Sequence, residues 1–221
     1  MKNIFIIPGY GVAKNIFKDE QQKRYLGLVF NHIYQICLET KQNSPLIIFC
    51  GGPTDLFKPY KRTEAGEMKK FFIFLARRDF VKKYTKNWRY ALEQKSLSTM
   101  ENILGAERIA RKIVGQKKFY IFVEKTRERK MNILAKKIIK RNFKVIPIDF
   151  DLSLNRYYDP EFLKKKEDWD IKMASKSLKD KKFFDQYRKT LEQRIKYYRE
   201  AGSKKHRETI YQWWERKMKE M

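Results

Sequence analysis

The sequence predicts an α/β protein built on a five-stranded, mainly parallel sheet and followed by an α-helical extension. Three observations predict it. Five short apolar runs recur along the first two-thirds of the chain, each without the polar alternation of a one-sided sheet. Segments with apolar residues at steps of three and four lie between them. Beyond Asp151 the runs stop, and the chain becomes charged, aromatic and helical in pattern. Strands buried on both faces read as continuous apolar runs, and strands that alternate with helices form parallel sheets with helices on both faces.

The first run, residues 3–7, is closed by Pro8-Gly9-Tyr10-Gly11. Residues 20–40 then place Tyr25, Leu28, Val29, His32, Ile33, Ile36 and Cys37 on one helical face. After a polar connection and Pro45, residues 46–50 form the second strand, and Gly51-Gly52-Pro53-Thr54-Asp55 reads as a loop. Residues 63–78 predict a helix with Met68, Phe71, Phe72 and Leu75 on its core face, and residues 88–92 a third strand. The helix from Thr99 to about Val114 has the stripe Ile103, Ala106, Ala110 and Ile113, with Gly115 as its C-cap. A fourth strand at 119–123, a helix at 127–140 and a fifth strand at 145–148 complete a three-layer Rossmann-like domain over residues 1–152.

Residues 153–221 are read as a basic, aromatic helical extension. Its start, to residue 170, is loop-like and contains Pro160. Two helical stripes follow: Phe184, Tyr187, Leu191, Ile195 and Tyr198, then Ile210, Trp213, Trp214 and Met218. Such stripes fit packing against the domain or against each other. The alternative is an arm for RNA or an anionic membrane surface, with Trp213 and Trp214 as stacking or interfacial groups.

The formal net charge of the 221 residues is +26. Charge of this size favours nucleic acid, anionic lipid heads or phosphorylated ligands as partners, and it equally fits basic residues that only cover solvated faces. Residues 151–221 carry 20 basic against 13 acidic side chains, a net +7, which leaves +19 for residues 1–150. The two cysteines, Cys37 and Cys50, have no metal or redox spacing and read as buried free thiols in a reducing compartment. The apolar residues 4–7 are too few for a signal segment or a membrane span, so the expected location is cytoplasmic, with no transmembrane segment.

In a parallel sheet the segments that follow the strands converge on one edge, and ligands bind there. Here they are Gly9-Tyr10-Gly11, the Gly51-Gly52 loop, residues 93–102, Glu124-Lys125-Thr126-Arg127 and Asp149-Phe150-Asp151. Glycines let the backbone approach a ligand, and amides at helix starts attract anions. Gly9-Tyr10-Gly11 lacks the third glycine of the dinucleotide fingerprint, and no Walker lysine follows Gly51-Gly52. Ser98-Thr99-Met100-Glu101 also fits a capping box, which leaves Glu93 and Asn102 unexplained.

Taken together, these loops resemble a known family. Residues 46–52 (Leu-Ile-Ile-Phe-Cys-Gly-Gly), then Thr63-Glu64-Ala65, then Glu93-x-x-Ser96-x-Ser98-Thr99-x-Glu101-Asn102 are similar to the motifs of the SanA/YdcF-like family, the domain of unknown function 218. The resemblance spans roughly residues 3–150. Cys50 and Thr63 stand where that family has serines, and Glu124 to Arg129 replace a segment in which it has a histidine. The resemblance implies a Rossmann-like fold, a polar pocket at the strand ends and a connection with envelope metabolism. It also implies an adenosine-type ligand, S-adenosylmethionine or a nucleotide.

Two functions follow as expectations. In the first, the chain binds a small anionic or nucleotide-like ligand through Gly9, Gly11, Gly51, Gly52, Glu64, Glu93, Ser96, Ser98, Thr99, Asn102, Lys125 and Arg127. Glu64 and Glu93 accept from hydroxyls, while Ser96, Ser98, Thr99 and backbone amides hold an anion. Asn102 orients Glu93 or the ligand, and Lys125 or Arg127 supplies positive charge. Neither histidine, His32 or His206, lies near these loops, which disfavours triad hydrolysis and leaves Glu93 as the candidate general base. A metal held by Asp55, Glu64 and Glu93 is a variant of this reading. In the second function, the basic surface and the terminal helices bind RNA or another polyanion.

Overall fold

The computed structural model describes residues 1–150, 159–202 and 206–220. The chain divides into two compact units, one of residues 1–55 and 61–150, the other of residues 56–60 with the chain beyond 150.

The first unit has the expected α/β architecture. Strands β1 (Lys2–Ile7), β2 (Leu46–Cys50), β3 (Arg89–Glu93), β4 (Lys117–Glu124) and β5 (Phe143–Ile148) form one sheet in the order β3-β2-β1-β4-β5. Every neighbouring pair is parallel. Helices α1 (Glu20–Glu39), α2 (Glu64–Ala76) and α3 (Asp79–Thr85) supply the core of one face. Helices α4 (Thr99–Arg111) and α5 (Glu128–Ile138) supply the other. Right-handed crossovers produce this division, because the chain first steps outward from β1 to β3 and then returns past β1 to β4.

Alternate strand residues feed the two cores. Phe5, Ile7, Phe49 and Phe122 face the α1 side, whereas Ile4, Ile6, Cys50 and Ile121 face the α4 side. All eight are essentially inaccessible. Full burial of each apolar side chain contributes about 1.5–3 kcal/mol, and two such layers explain why the apolar runs show no polar alternation.

Several boundaries differ from the expectation. The third strand begins at Arg89, with Trp88 buried just before it. The helix expected over 63–78 ends at Ala76 with Arg77 as its C-cap, and α3 starts at Asp79. Helix α4 ends at Arg111 with Lys112 as its C-cap, so Gly115 is not its cap but a turn residue with φ of 95° ahead of β4. The expected strand at 145–148 starts two residues earlier, at Phe143.

The second unit contains α6 (Pro160–Ser177), α7 (Lys181–Ala201) and α8 (His206–Lys219). The segment to residue 170, expected as loop, is helical from Pro160 onward. Pro160 occupies the first helical turn, where its missing N–H costs nothing, and the Asp159 carboxylate caps Glu161 N and Phe162 N. Trp213 and Trp214 are buried. Trp214 meets Trp169 edge-on at 5.1 Å, and Trp213 lies 5.3 Å from Tyr197. Their rings therefore form this unit's core and are not the exposed stacking groups of the RNA-arm alternative. Some of the basic charge also has a structural use: Lys166 and Arg194 stack on Trp214 and Arg216 on Trp213. No helix among the described residues is long and apolar enough to cross a membrane.

Candidate functional site at the carboxyl edge of the sheet

The strand order reverses between β1 and β4. The loops leaving those two strands run to opposite faces, the arrangement at which open α/β sheets bind ligands. Across that edge the strand ends stand as Glu93, Cys50, the Pro8-Gly9 turn and Glu124, about 4.8 Å per strand.

Gly9 is the closest meeting point. A methyl carbon built on it would overlap Glu64 Oε2, and Cys50 O would lie 3.2 Å away. Arg127 Nη1 approaches the Gly9 carbonyl from the other strand at 3.4 Å. A carboxylate and a guanidinium thus flank one bare backbone position. Glu64 Oε1 accepts from the Thr54 hydroxyl, and the Glu64 side chain also packs on Gly51, whose φ of 141° excludes most L side chains. Gly11 stands open, and its carbonyl accepts from Gln22 Nε2 at 3.2 Å.

The amides of Gly51 and Gly52 donate within the protein. Gly51 N donates to Glu93 O at 2.9 Å and Gly52 N to Ser96 O at 2.8 Å. In turn Glu64 N and Ala65 N donate to the carbonyls of Gly52 and Gly51, each at 3.1 Å, and Thr63 caps Gly66 N. These glycines bind the loops after β2 and β3 to the start of α2. Their smallness serves packing between protein segments, with Gly52 lying against the backbone of Lys95 and Ser96.

Glu93, Ser96 and Asn102 are brought together as the motif suggested. The buried Ser96 hydroxyl lies in hydrogen-bond contact with both Glu93 Oε2 and Asn102 Oδ1. One hydroxyl proton cannot serve two acceptors, so the amide orientation that satisfies the cluster turns Asn102 Nδ2 to Ser96. Asn102 thereby orients Glu93 through Ser96. Lys95 N donates to Glu93 Oε1 at 2.9 Å. Ser98 caps α4 by accepting from Glu101 N at 3.3 Å, and Glu101 Oε2 accepts from Leu97 N at 2.8 Å. The capping box is present, reaching one residue further back than usual. The hydroxyls of Ser96 and Ser98 are thus engaged with neighbouring side chains and the start of α4. Half-buried Thr99 keeps its amide without an intramolecular acceptor among the described residues.

On the β4 side, Lys125–Arg127 form a single 3-10 turn. Lys125 is exposed and pairs with Glu128 at 3.2 Å, an exposed pair of little energetic weight. Arg127 lies 5.3 Å over the ring of Tyr10, which stacks on Tyr25 with centroids 4.9 Å apart. Glu124, the last residue of β4, is only 2% exposed. Its Oε1 accepts from Thr126, whereas Oε2 is buried without a hydrogen bond. Tyr10 and Glu124 lie in the converging segments but carry no role in the sequence pattern. The available signal was a charged residue directly continuing an apolar strand run.

Asp55 does not join a metal-binding group. It is fully buried, and Arg62 grips it with two bonds of 2.9 Å while donating to Ala13 O at 2.8 Å and Lys14 O at 3.1 Å. No group of three or more potential ligands among His, Cys, Asp and Glu occurs among the described residues. Arg62, also missed in the sequence, clamps the loop after β1 to the loop after β2.

Burial raises the pKa of several acids. Cys37 and Tyr90 are pushed up to about 12. Cys50 is held well above its usual range by burial and then by Glu93. Tyr25 and Tyr10 are raised chiefly by burial, Tyr10 also by the neighbouring Glu124 carboxylate, which its hydroxyl faces. Such groups keep their protons when folded and release them when unfolded. Stability from this source is complete below about pH 8.5 and falls as pH rises, first through the cysteines and near pH ~10 through the tyrosines. Each ionising group contributes a slope of about 1.4 kcal/mol per pH unit. Urea midpoints measured from pH 7 to 11 should fall progressively above pH 9, and a flat profile to pH 11 would contradict these assignments.

No protein-family model matches the chain, and no curated protein or solved structure matches it either.

Proposed function

We propose that the chain binds a small anionic or nucleotide-like ligand across the carboxyl ends of β2, β1 and β4. The observation that carries this reading is the convergence of Glu64 and Arg127 on Gly9 at the point where the strand order reverses. Arg127, aided by Lys125, supplies charge for a phosphate or carboxylate, and Glu64 accepts from ligand hydroxyls. Thr99 and its amide extend the polar edge toward β3. Glu93, held by Ser96 and Lys95 N, is the group placed for general-base chemistry should a reaction occur there. S-adenosylmethionine and nucleotides have the required mixture of charge, hydroxyls and an aromatic ring. They are also the ligands implied by the resemblance to SanA/YdcF-like motifs and its connection with envelope metabolism.

Thermal-shift titrations against S-adenosylmethionine, nucleotides and nucleotide-sugars test the proposal. A bound ligand at ~100 times its Kd adds about 2.7 kcal/mol. The expected result is a selective rise in Tm that Arg127→Ala removes. Absence of a shift across the panel would overturn the reading. One observation favours a polyanion instead: +19 of the charge lies in residues 1–150. With Trp213 and Trp214 buried, RNA would then be held by charge, and its affinity would fall steeply with salt.

A further inference from the structure

We infer that Glu124 and Tyr10 form a subsite that recognises a sugar hydroxyl of a phosphorylated or nucleotide ligand. The inference rests on the ligand reading above and specifies its chemistry. Buried polar atoms normally find partners, and those that do not mark a cost the fold retains for a reason. Here Glu124 Oε2 and Tyr10 Oη, close enough for the carboxylate to act on the phenol, are buried without a well-formed hydrogen bond at the β1/β4 edge, as is Oε1 of Gln22, whose Nε2 is bound to Gly11 O. Glu124 is 2% exposed, and its other oxygen is occupied by Thr126. Tyr10 is half-buried, stacked on Tyr25, with Phe150 centred 6.5 Å away and Arg127 over its ring.

The charges select the missing partner. A phosphate or carboxylate placed on Glu124 would meet a like charge in a low-dielectric setting. An ammonium would crowd the Arg127 guanidinium over the Tyr10 ring. A hydroxyl fits both unpartnered groups, because it donates to Glu124 Oε2 and accepts from the Tyr10 O–H, which burial keeps protonated. Arg127 beside it would face the phosphate of the same ligand. A ribose or other sugar phosphate combines these features in one molecule.

The test compares AMP with 2′,3′-dideoxy-AMP by calorimetric titration of the full chain and of Tyr10→Phe and Glu124→Gln. Wild type should bind the dideoxy compound weaker by on the order of 10-fold or more, as for a lost hydrogen bond to a charged group. Both variants should bind AMP weaker by a similar factor and no longer distinguish the two nucleotides. Without ligand, the Tm of Tyr10→Phe should equal or exceed that of wild type, since an unpaired hydroxyl has been removed. If wild type binds AMP but the variants keep its affinity and discrimination, the subsite is refuted while the ligand reading stands. A lowered Tm of Tyr10→Phe with unchanged affinity would likewise refute it, in favour of a structural role or a buried water. If wild type binds neither nucleotide, the subsite falls, and failure of the wider ligand panel as well would overturn the ligand reading.

Discussion

Replacing Arg62 with methionine is expected to destabilise the α/β unit by about 3–5 kcal/mol, the usual cost of stranding one member of a buried pair. Asp55 is inaccessible, and the Arg62 fork meets both of its oxygens at 2.9 Å. The substitution leaves that carboxylate without its guanidinium and also removes the donors to Ala13 O and Lys14 O. The double variant Asp55→Leu/Arg62→Met should lose markedly less than the sum of the single changes, because the inaccessible Asp55 charge goes with its partner while Glu67, 3.6 Å from Arg62, keeps its pair with Lys70. Urea unfolding of the two single variants and the double variant checks this, and strict additivity would contradict it.

Gly52→Ala is the second large effect, expected at about 2–3 kcal/mol as overpacking against a rigid neighbour. Its methyl would overlap the Ser96 carbonyl and press on backbone atoms of Lys95 and Ser96, so no side-chain rotation can relieve it. The Gly52–Ser96 hydrogen bond would lengthen, and the cluster of Glu93, Ser96 and Asn102 would lose its footing. Gly9→Ala offers an internal contrast. Its methyl would displace the Glu64 carboxylate, the end of a flexible side chain, so stability should suffer less while ligand binding is lost. Comparable loss of stability in both variants would contradict the distinction drawn between these two close approaches.

Much of the fold was legible because burial on both faces leaves a direct mark: five apolar runs became five parallel strands. Strand order left no such mark, since it depends on which side each crossover takes. Pro160 misled because a proline at the first helical position resembles a helix breaker when its cap is not recognised. The site was legible as a set of loops rather than as contacts. Spacing placed Glu93, Ser96 and Asn102 near one another, yet it could not show that Ser96 and Ser98 are engaged with neighbouring side chains and the start of α4. Glu64 and Arg127 meet at Gly9 from positions 63 residues apart, a distance in sequence that no local pattern spans.

The most direct test of ligand binding at the β1/β4 edge is amide chemical-shift mapping by NMR with the best compound from the thermal-shift panel. Perturbations should concentrate at residues 9–11, 52, 54, 64–66, 93–99 and 124–128. Shifts spread instead over exposed lysines and arginines, and abolished by moderate salt, would contradict a built site and leave only the basic surface as the binding element.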